Sequence, residues 1–190
     1  GFDAIAQATE SLISKKSNNY SVEFAIKSLE ISLKNFKSYL ENPNNLNSTK
    51  MLTASNLAGK AINISKTTAP HAASYPFTSL FNVSHGHAVS LFFEKFLTFN
   101  FENFDKLKDL FDLKSRYEIL FKLYNVKNIS QFADQIKKIK KFSQLEDNLN
   151  TLNIDIYSNS KKIIDGINIL RLKNNPVNLS KDDIFNIFSS

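Results

Sequence analysis

Apolar residues recur along this chain with a helical period almost from end to end. Ile5, Ala8, Leu12 and Ile13 share one face of a predicted helix from Asp3 to about Lys16, and Asp3 stands in its first turn, where a carboxylate complements the helix dipole. After the polar SNNYS at 17–21, Val22, Ile26, Leu29, Leu33, Phe36 and Leu40 form one stripe that NPNN at 42–45 ends. A third helix is predicted from about Ser48 to Ile64. Its small residues, ASNLAG at 54–59, allow close approach and a buried, central place. Pro70 suits the first position of a short helix, PHAASYPFTSLF, in which Pro76 implies a kink or an early end. Ser84 is placed to cap HGHAVSLFFEKFL, a helix apolar on nearly every side and therefore expected in the core. Shorter amphipathic segments follow: NFDKLKDLF, KSRYEILFKLY, ISQFADQIKKIKKF, SKKIIDGINILRL and SKDDIFNIF. Ser180 caps the last of these, with Asp183 three residues on, and NNPVN at 174–178 separates the final two. No alternating strand and no internal repeat interrupts the pattern, so the expectation is one all-α helical bundle over residues 1–190.

Composition narrows the function. Four Gly and four Pro in 190 residues are well below average usage, too few for a β-sandwich or barrel. Gly1, Gly59, Gly86 and Gly166 are isolated from one another, so neither a dinucleotide fingerprint nor a phosphate-binding loop can be assembled; any nucleotide would be held mainly by another segment. The absence of Cys excludes disulfides, thiolate metal sites and a Cys nucleophile, and fits a reducing cytoplasm. No apolar run reaches the length of a membrane span, so no membrane partner is expected. The +6 balance is carried by Lys with just two Arg, Arg116 and Arg171, which disfavours nucleic acid as a partner. Lys137, Lys138, Lys140 and Lys141 read as the solvated arc of an amphipathic helix. The chain opens on Gly and has its one Met at position 51, which implies a processed, truncated or engineered N-terminus.

Chemistry concentrates in one stretch. All three His, His71, His85 and His87, lie in TTAPHAASYPFTSLFNVSHGHAV, each at or near a predicted helix start. Neutral imidazole with carboxylate is a donor set for a divalent metal, and Asp3 is the acidic residue at an equivalent helix start. The other reading, open on spacing alone, makes these His a cap and two packed or exposed side chains.

The runs GFDAIAQATES, AGKAINISKTTAPHAASYP, SHGHAV and RLKNNPVNLSKDDI resemble the iron-containing alcohol dehydrogenase family, specifically its C-terminal, all-helical, metal-binding domain. The resemblance covers essentially the whole chain, densely over 1–100 and again at 171–184. It implies Asp3, His71 and His85 as metal ligands. A fourth ligand of iron-dependent members, a His one turn after the Asp, is replaced by Gln7, which leaves a three-ligand set like that of related zinc-using polyol dehydrogenases. Zn²⁺ and Fe²⁺ both remain open, as does a helical scaffold domain without metal.

The resemblance further implies NAD(P)H-linked reduction of an aldehyde, or its reverse, with the nucleotide bound mainly by an N-terminal domain that this chain lacks. On that view these residues are half of an enzyme, inactive alone, from a cytoplasmic homodimer. His87 is the first candidate for proton delivery and Tyr75, one turn after His71, the second. His87 and His85 diverge by about 200° on a helix, so the two are not expected to bind one ion. KTTAPHAASYP with HGHAV looks most like the subgroup that reduces phosphonoacetaldehyde to 2-hydroxyethylphosphonate. Lys60, Lys66 and Thr67, with Thr68 and Ser74, are the candidates for holding such an anion; a simple alcohol or polyol dehydrogenase is the alternative.

Overall fold

A computed structural model of the protein describes residues 1–107 and 111–190, and among these there are helices and turns but no strand. Three long helices build the first half. α1 (Phe2–Ile13) is buried on almost every side and lies against both α2 (Asn19–Glu41) and α3 (Asn45–Ser65). Asn18 starts α2 through a capping box: its side chain accepts from the Ser21 N–H, and the Ser21 hydroxyl accepts from the Asn18 N–H. Asn44 caps α3 in the same manner without the reciprocal bond. The small residues of α3 do permit close approach. Ala54, Ala58 and Ala61 are fully buried, and the Ser28 hydroxyl of α2 reaches the Ala54 carbonyl at 2.7 Å.

α4 (Ala69–Phe81) runs unbroken through Pro76, with Pro70 in its second position instead of its first. Because proline has no N–H, the carbonyl four residues back loses its helical partner. That carbonyl belongs to Ala72, and it accepts instead from the N–H of Asn168 at 3.1 Å. The expected early stop therefore does not occur: the freed carbonyl has a partner from elsewhere in the chain.

Two helices expected to be continuous are broken. HGHAVSLFFEKFL divides into α5 (His85–Ser90) and α6 (Phe93–Glu102), with φ of −125° at Phe92. Leu91 and Phe92 at the break are both buried, so packing has overridden the local helical preference. Ser84 takes the N-cap position without a side-chain cap bond. SKKIIDGINILRL divides into α9 (Ser160–Asp165) and α10 (Ile169–Leu172), after α7 (Leu113–Leu123) and α8 (Ile129–Phe142). The helix expected over 103–111 falls partly outside the described residues; within them a single 3₁₀ turn spans Phe104–Lys106. α11 (Lys181–Ser189) begins with the expected Ser180–Asp183 capping box.

Two hydrophobic cores result. The first joins α1, α2, α3, α7 and α8, with Leu12, Leu29, Tyr117 and Phe132 fully buried. The second joins α4, α9 and α11 around Phe77, Phe92, Phe96 and Phe188, whose rings stack edge-on or tilted at centroid distances from 4.7 to 6.1 Å. Phe93 and Leu97 of α6 face the first core while its Phe96 faces the second. NNPVN is more than a stop between helices: Asn174 and Asn175 are buried, and they bond the Lys15 N–H, the Thr67 carbonyl, the Ala69 N–H and the Asn100 amide.

Candidate metal centre

The start of α1 meets the starts of α4 and α5. Gly86 touches α1 here: a Cβ on it would lie 3.4 Å from the Asp3 Cβ. Asp3, His71 and His85 come together, with their ligand atoms all within 4.8 Å of one another. Asp3 Oδ1 is 3.2 Å from His71 Nε2 and 3.7 Å from His85 Nε2, and the two imidazoles meet edge to face at 5.4 Å. The His71 side chain is 3% exposed whereas that of His85 is 44% exposed, so the cluster has a protein side and an open side.

Glu10 forms the protein side. It lies two turns after Asp3 on the same face of α1 and is fully buried. Oε1 accepts from the Thr68 N–H and hydroxyl, both at 2.9 Å, and from the His71 N–H at 3.3 Å; Oε2 accepts from His71 Nδ1. The carboxylate therefore caps α4 from another helix, since the Thr68 side chain makes no cap bond of its own. Committing Nδ1 to Glu10 directs His71 Nε2 toward Asp3 and His85, the arrangement that fixes tautomer and ring orientation in metal-binding histidines.

Burial alone would lower the His71 pKa, but the charge of Glu10, the hydrogen bonds to Asp3 and Glu10 and the charge of Asp3 outweigh it and raise it to about 9. Burial also works against the charge on Asp3, yet the hydrogen bond from His71 and the two imidazoles hold its carboxyl below its ordinary value. The negative surroundings that bind a proton this tightly also favour a divalent cation, which competes with that proton for the same nitrogen. The donor set fits the metal: one carboxylate and two imidazoles converge, with one imidazole fixed from behind.

A model of the C-terminal part of the Fe-containing alcohol dehydrogenase family matches residues 1–190. The chain belongs to this family. It is 29% identical over 194 residues to 4-hydroxybutyrate dehydrogenase of Clostridium kluyveri, covering 98% of this chain and 50% of that protein. Among solved structures, an archaeal halo-thermophilic alcohol dehydrogenase from a Red Sea brine pool superposes with a TM-score of 0.88 at 22% identity, over 99% of this chain and 48% of that one. Sulfoacetaldehyde reductase from Bifidobacterium kashiwanohense, solved with NAD⁺, gives 0.85 at 24% identity, over 99% and 48%. The chain thus spans about half the length of these proteins, and the two structural likenesses establish the all-helical fold.

The remaining candidates from the sequence are dispersed. Gln7 stays beside the cluster, its amide nitrogen donating to Asp3 Oδ2 at 2.7 Å and so steadying the carboxylate. Tyr75 lies on the open side, its ring 6.3 Å from that of His85. His87 points elsewhere: its Nε2 lies 2.5 Å from the carbonyl of Glu146, an atom that only accepts, so the imidazole N–H is committed there. Lys60 sits over the Phe24 ring, and the exposed Lys66 ammonium folds back onto the Asn63 carbonyl at 2.7 Å. Thr67 is fully buried, its hydroxyl accepting from Arg171 Nη1 at 2.6 Å. Neither Glu10 nor Arg171 was reached by the sequence reading. Glu10 carried a usable signal, since Asp3, Gln7 and Glu10 make a polar stripe on an otherwise apolar helix; Arg171 carried none beyond its rarity.

Proposed function

We propose that this chain is the metal-binding half of an NAD(P)-linked alcohol dehydrogenase that reduces a small aldehyde ending in an anionic group. The observation that carries the reading is the convergence of Asp3, His71 and His85 with Glu10 behind His71. Asp3, His71 and His85 would hold Zn²⁺ or Fe²⁺, and that ion would supply polarisation of the carbonyl oxygen. In reduction a hydride from NAD(P)H adds to the carbonyl carbon and a proton adds to its oxygen, leaving the alcohol and NAD(P)⁺. Tyr75, beside His85 on the open side, is the proton donor we favour; His87 is spent on the Glu146 carbonyl. The nucleotide would be held mainly by the part of the protein outside these residues.

The preferred substrate is phosphonoacetaldehyde, reduced to 2-hydroxyethylphosphonate, on the motif resemblance. A carboxylate-ended aldehyde is the second reading, favoured by the identity to 4-hydroxybutyrate dehydrogenase over 98% of this chain. The test is metal analysis and substrate profiling on the full-length protein after growth with zinc and iron. Near-stoichiometric metal and turnover of anionic aldehydes are expected. A protein that stays metal-free sinks the enzyme reading in favour of a scaffold domain, and equal preference for neutral alcohols moves it to a simple alcohol or polyol dehydrogenase.

A further inference from the structure

We infer that Arg171 is the anchor for the anionic end of the substrate, a role resting on the proposed function above. Among the described residues no carboxylate pairs with this guanidinium, although it is half-buried, and its one hydrogen-bond acceptor is the neutral hydroxyl of Thr67. The guanidinium is thus held in place by a neutral partner, with its charge left for an incoming anion. Only Nη1 is engaged, so most of the donor fork remains for a planar or tetrahedral anion.

Its position ties it to the metal centre. Pro76 frees the Ala72 carbonyl, one residue beyond His71, and the Asn168 N–H takes it. A Cβ on Gly166 would lie 3.1 Å from the Pro76 Cβ, so glycine lets this segment approach α4 closely. Asn168 then caps α10, accepting the Arg171 N–H at 3.0 Å. The guanidinium lands 5.7 Å from the centre of the Tyr75 ring, whose other neighbour is His85. Tyr75 thus neighbours both His85 and Arg171, so the reacting end and the charged end of a short ω-anionic aldehyde would each meet a group that borders the same tyrosine. Lys60 and Lys66, engaged with Phe24 and Asn63, have no such relation to the cluster.

The test compares the full-length, metal-loaded enzyme with its Arg171→Leu and Arg171→Lys variants on phosphonoacetaldehyde, sulfoacetaldehyde, succinic semialdehyde and neutral butanal. Loss of one charge-assisted contact predicts a fall in kcat/KM of about 10- to 100-fold on anionic substrates for Arg171→Leu. Butanal turnover should fall far less than that of the anionic substrates, and Arg171→Lys should recover part of the loss. Calorimetry with ethylphosphonate as a non-reacting probe should show binding that weakens in parallel. If the wild type favours anionic aldehydes and Arg171→Leu keeps that preference, the assignment of Arg171 fails while the proposed substrate class stands. If Arg171→Leu loses butanal turnover equally, its role is structural and the inference is overturned. A wild type with no preference for anionic aldehydes removes the substrate class and this inference together. Should Arg171→Leu not fold, Arg171→Lys still decides, because it keeps the charge and alters the fork.

Discussion

The two cores differ in how they are built, and the candidate metal centre sits where they meet. The first is built on α2 and α3, long helices capped by Asn18 and Asn44, and joins the small and aliphatic residues of α1 to a run of rings that includes Phe101, Tyr117, Phe121 and Phe132. The second gathers α4 and the shorter α9 and α11 around four phenylalanines. Asp3 and Glu10 come from the first core's α1, whereas His71 follows from α4 and His85 from α5, elements seated on the second. The ligand geometry is therefore a statement about how the two cores register. α6, with faces in both, and the buried Asn174–Asn175 pair are the parts that keep the register.

The largest expected effect comes from opening the second core. Phe188→Ala removes a ring that touches Phe77, Phe92 and Phe96, and should cost about 3–5 kcal/mol in denaturant unfolding. Because α6 serves both cores, the loss should appear as one cooperative transition; two separate transitions would show that the cores unfold independently. Next, Glu10→Gln keeps the size of the side chain but weakens its hold on His71 Nδ1, and metal titration should show affinity reduced by about 10- to 100-fold. Unchanged affinity would mean that the second core alone orients His71. Gly166→Ala introduces a methyl 3.1 Å from both the Pro76 Cβ and the Lys162 carbonyl oxygen, with an expected cost of about 1 kcal/mol in thermal unfolding. Since it separates α9 and α10 from α4, the effect should fall on the second core, and no change would break the account of Pro76.

The smallest effect is in acid. The hydrogen bonds from the Ser180 hydroxyl and N–H hold the Asp183 carboxyl below its ordinary value of 3.8. Its folded pKa is lowered, so the stability it contributes is complete above the unfolded value and fades as pH falls through the folded one. Asp183→Asn should therefore lose less stability than the wild type on going from about pH 5 to pH 3, measured by thermal melts; equal slopes would show that α11 is held by Phe188 and its neighbours alone.

Legibility in the sequence follows the same division. The three helices of the first half are readable because one residue in every three or four reports the same environment; the start of α3 is less so, since Asn44 in the NPNN stop also caps the next helix, which begins at Asn45, three residues before the expected Ser48. HGHAVSLFFEKFL and SKKIIDGINILRL carried a helical period too, yet each is broken where tertiary packing or a cap from Asn168 outweighs a few tenths of a kcal/mol per residue of propensity. Asp3, His71 and His85 were found by residue type and resemblance. His87, Lys60 and Lys66 show the limit of that method, since spacing brings a side chain near a site without saying which carbonyl or ring already occupies it.

By itself the sequence determined the helical class, the apolar stripe of α2, the capped start of α11, and the identity of the residues that could bind a metal. These are local properties, set by a period of 3.6 and by side chains that bond their own backbone within three residues. The tertiary structure decided that Glu10 lies behind His71, that Pro76 continues a helix by handing the Ala72 carbonyl to Asn168, and that Arg171 rests against Tyr75. Each of these joins residues 60 or more positions apart, and such a contact is selected by the packing of whole helices, which no local pattern encodes.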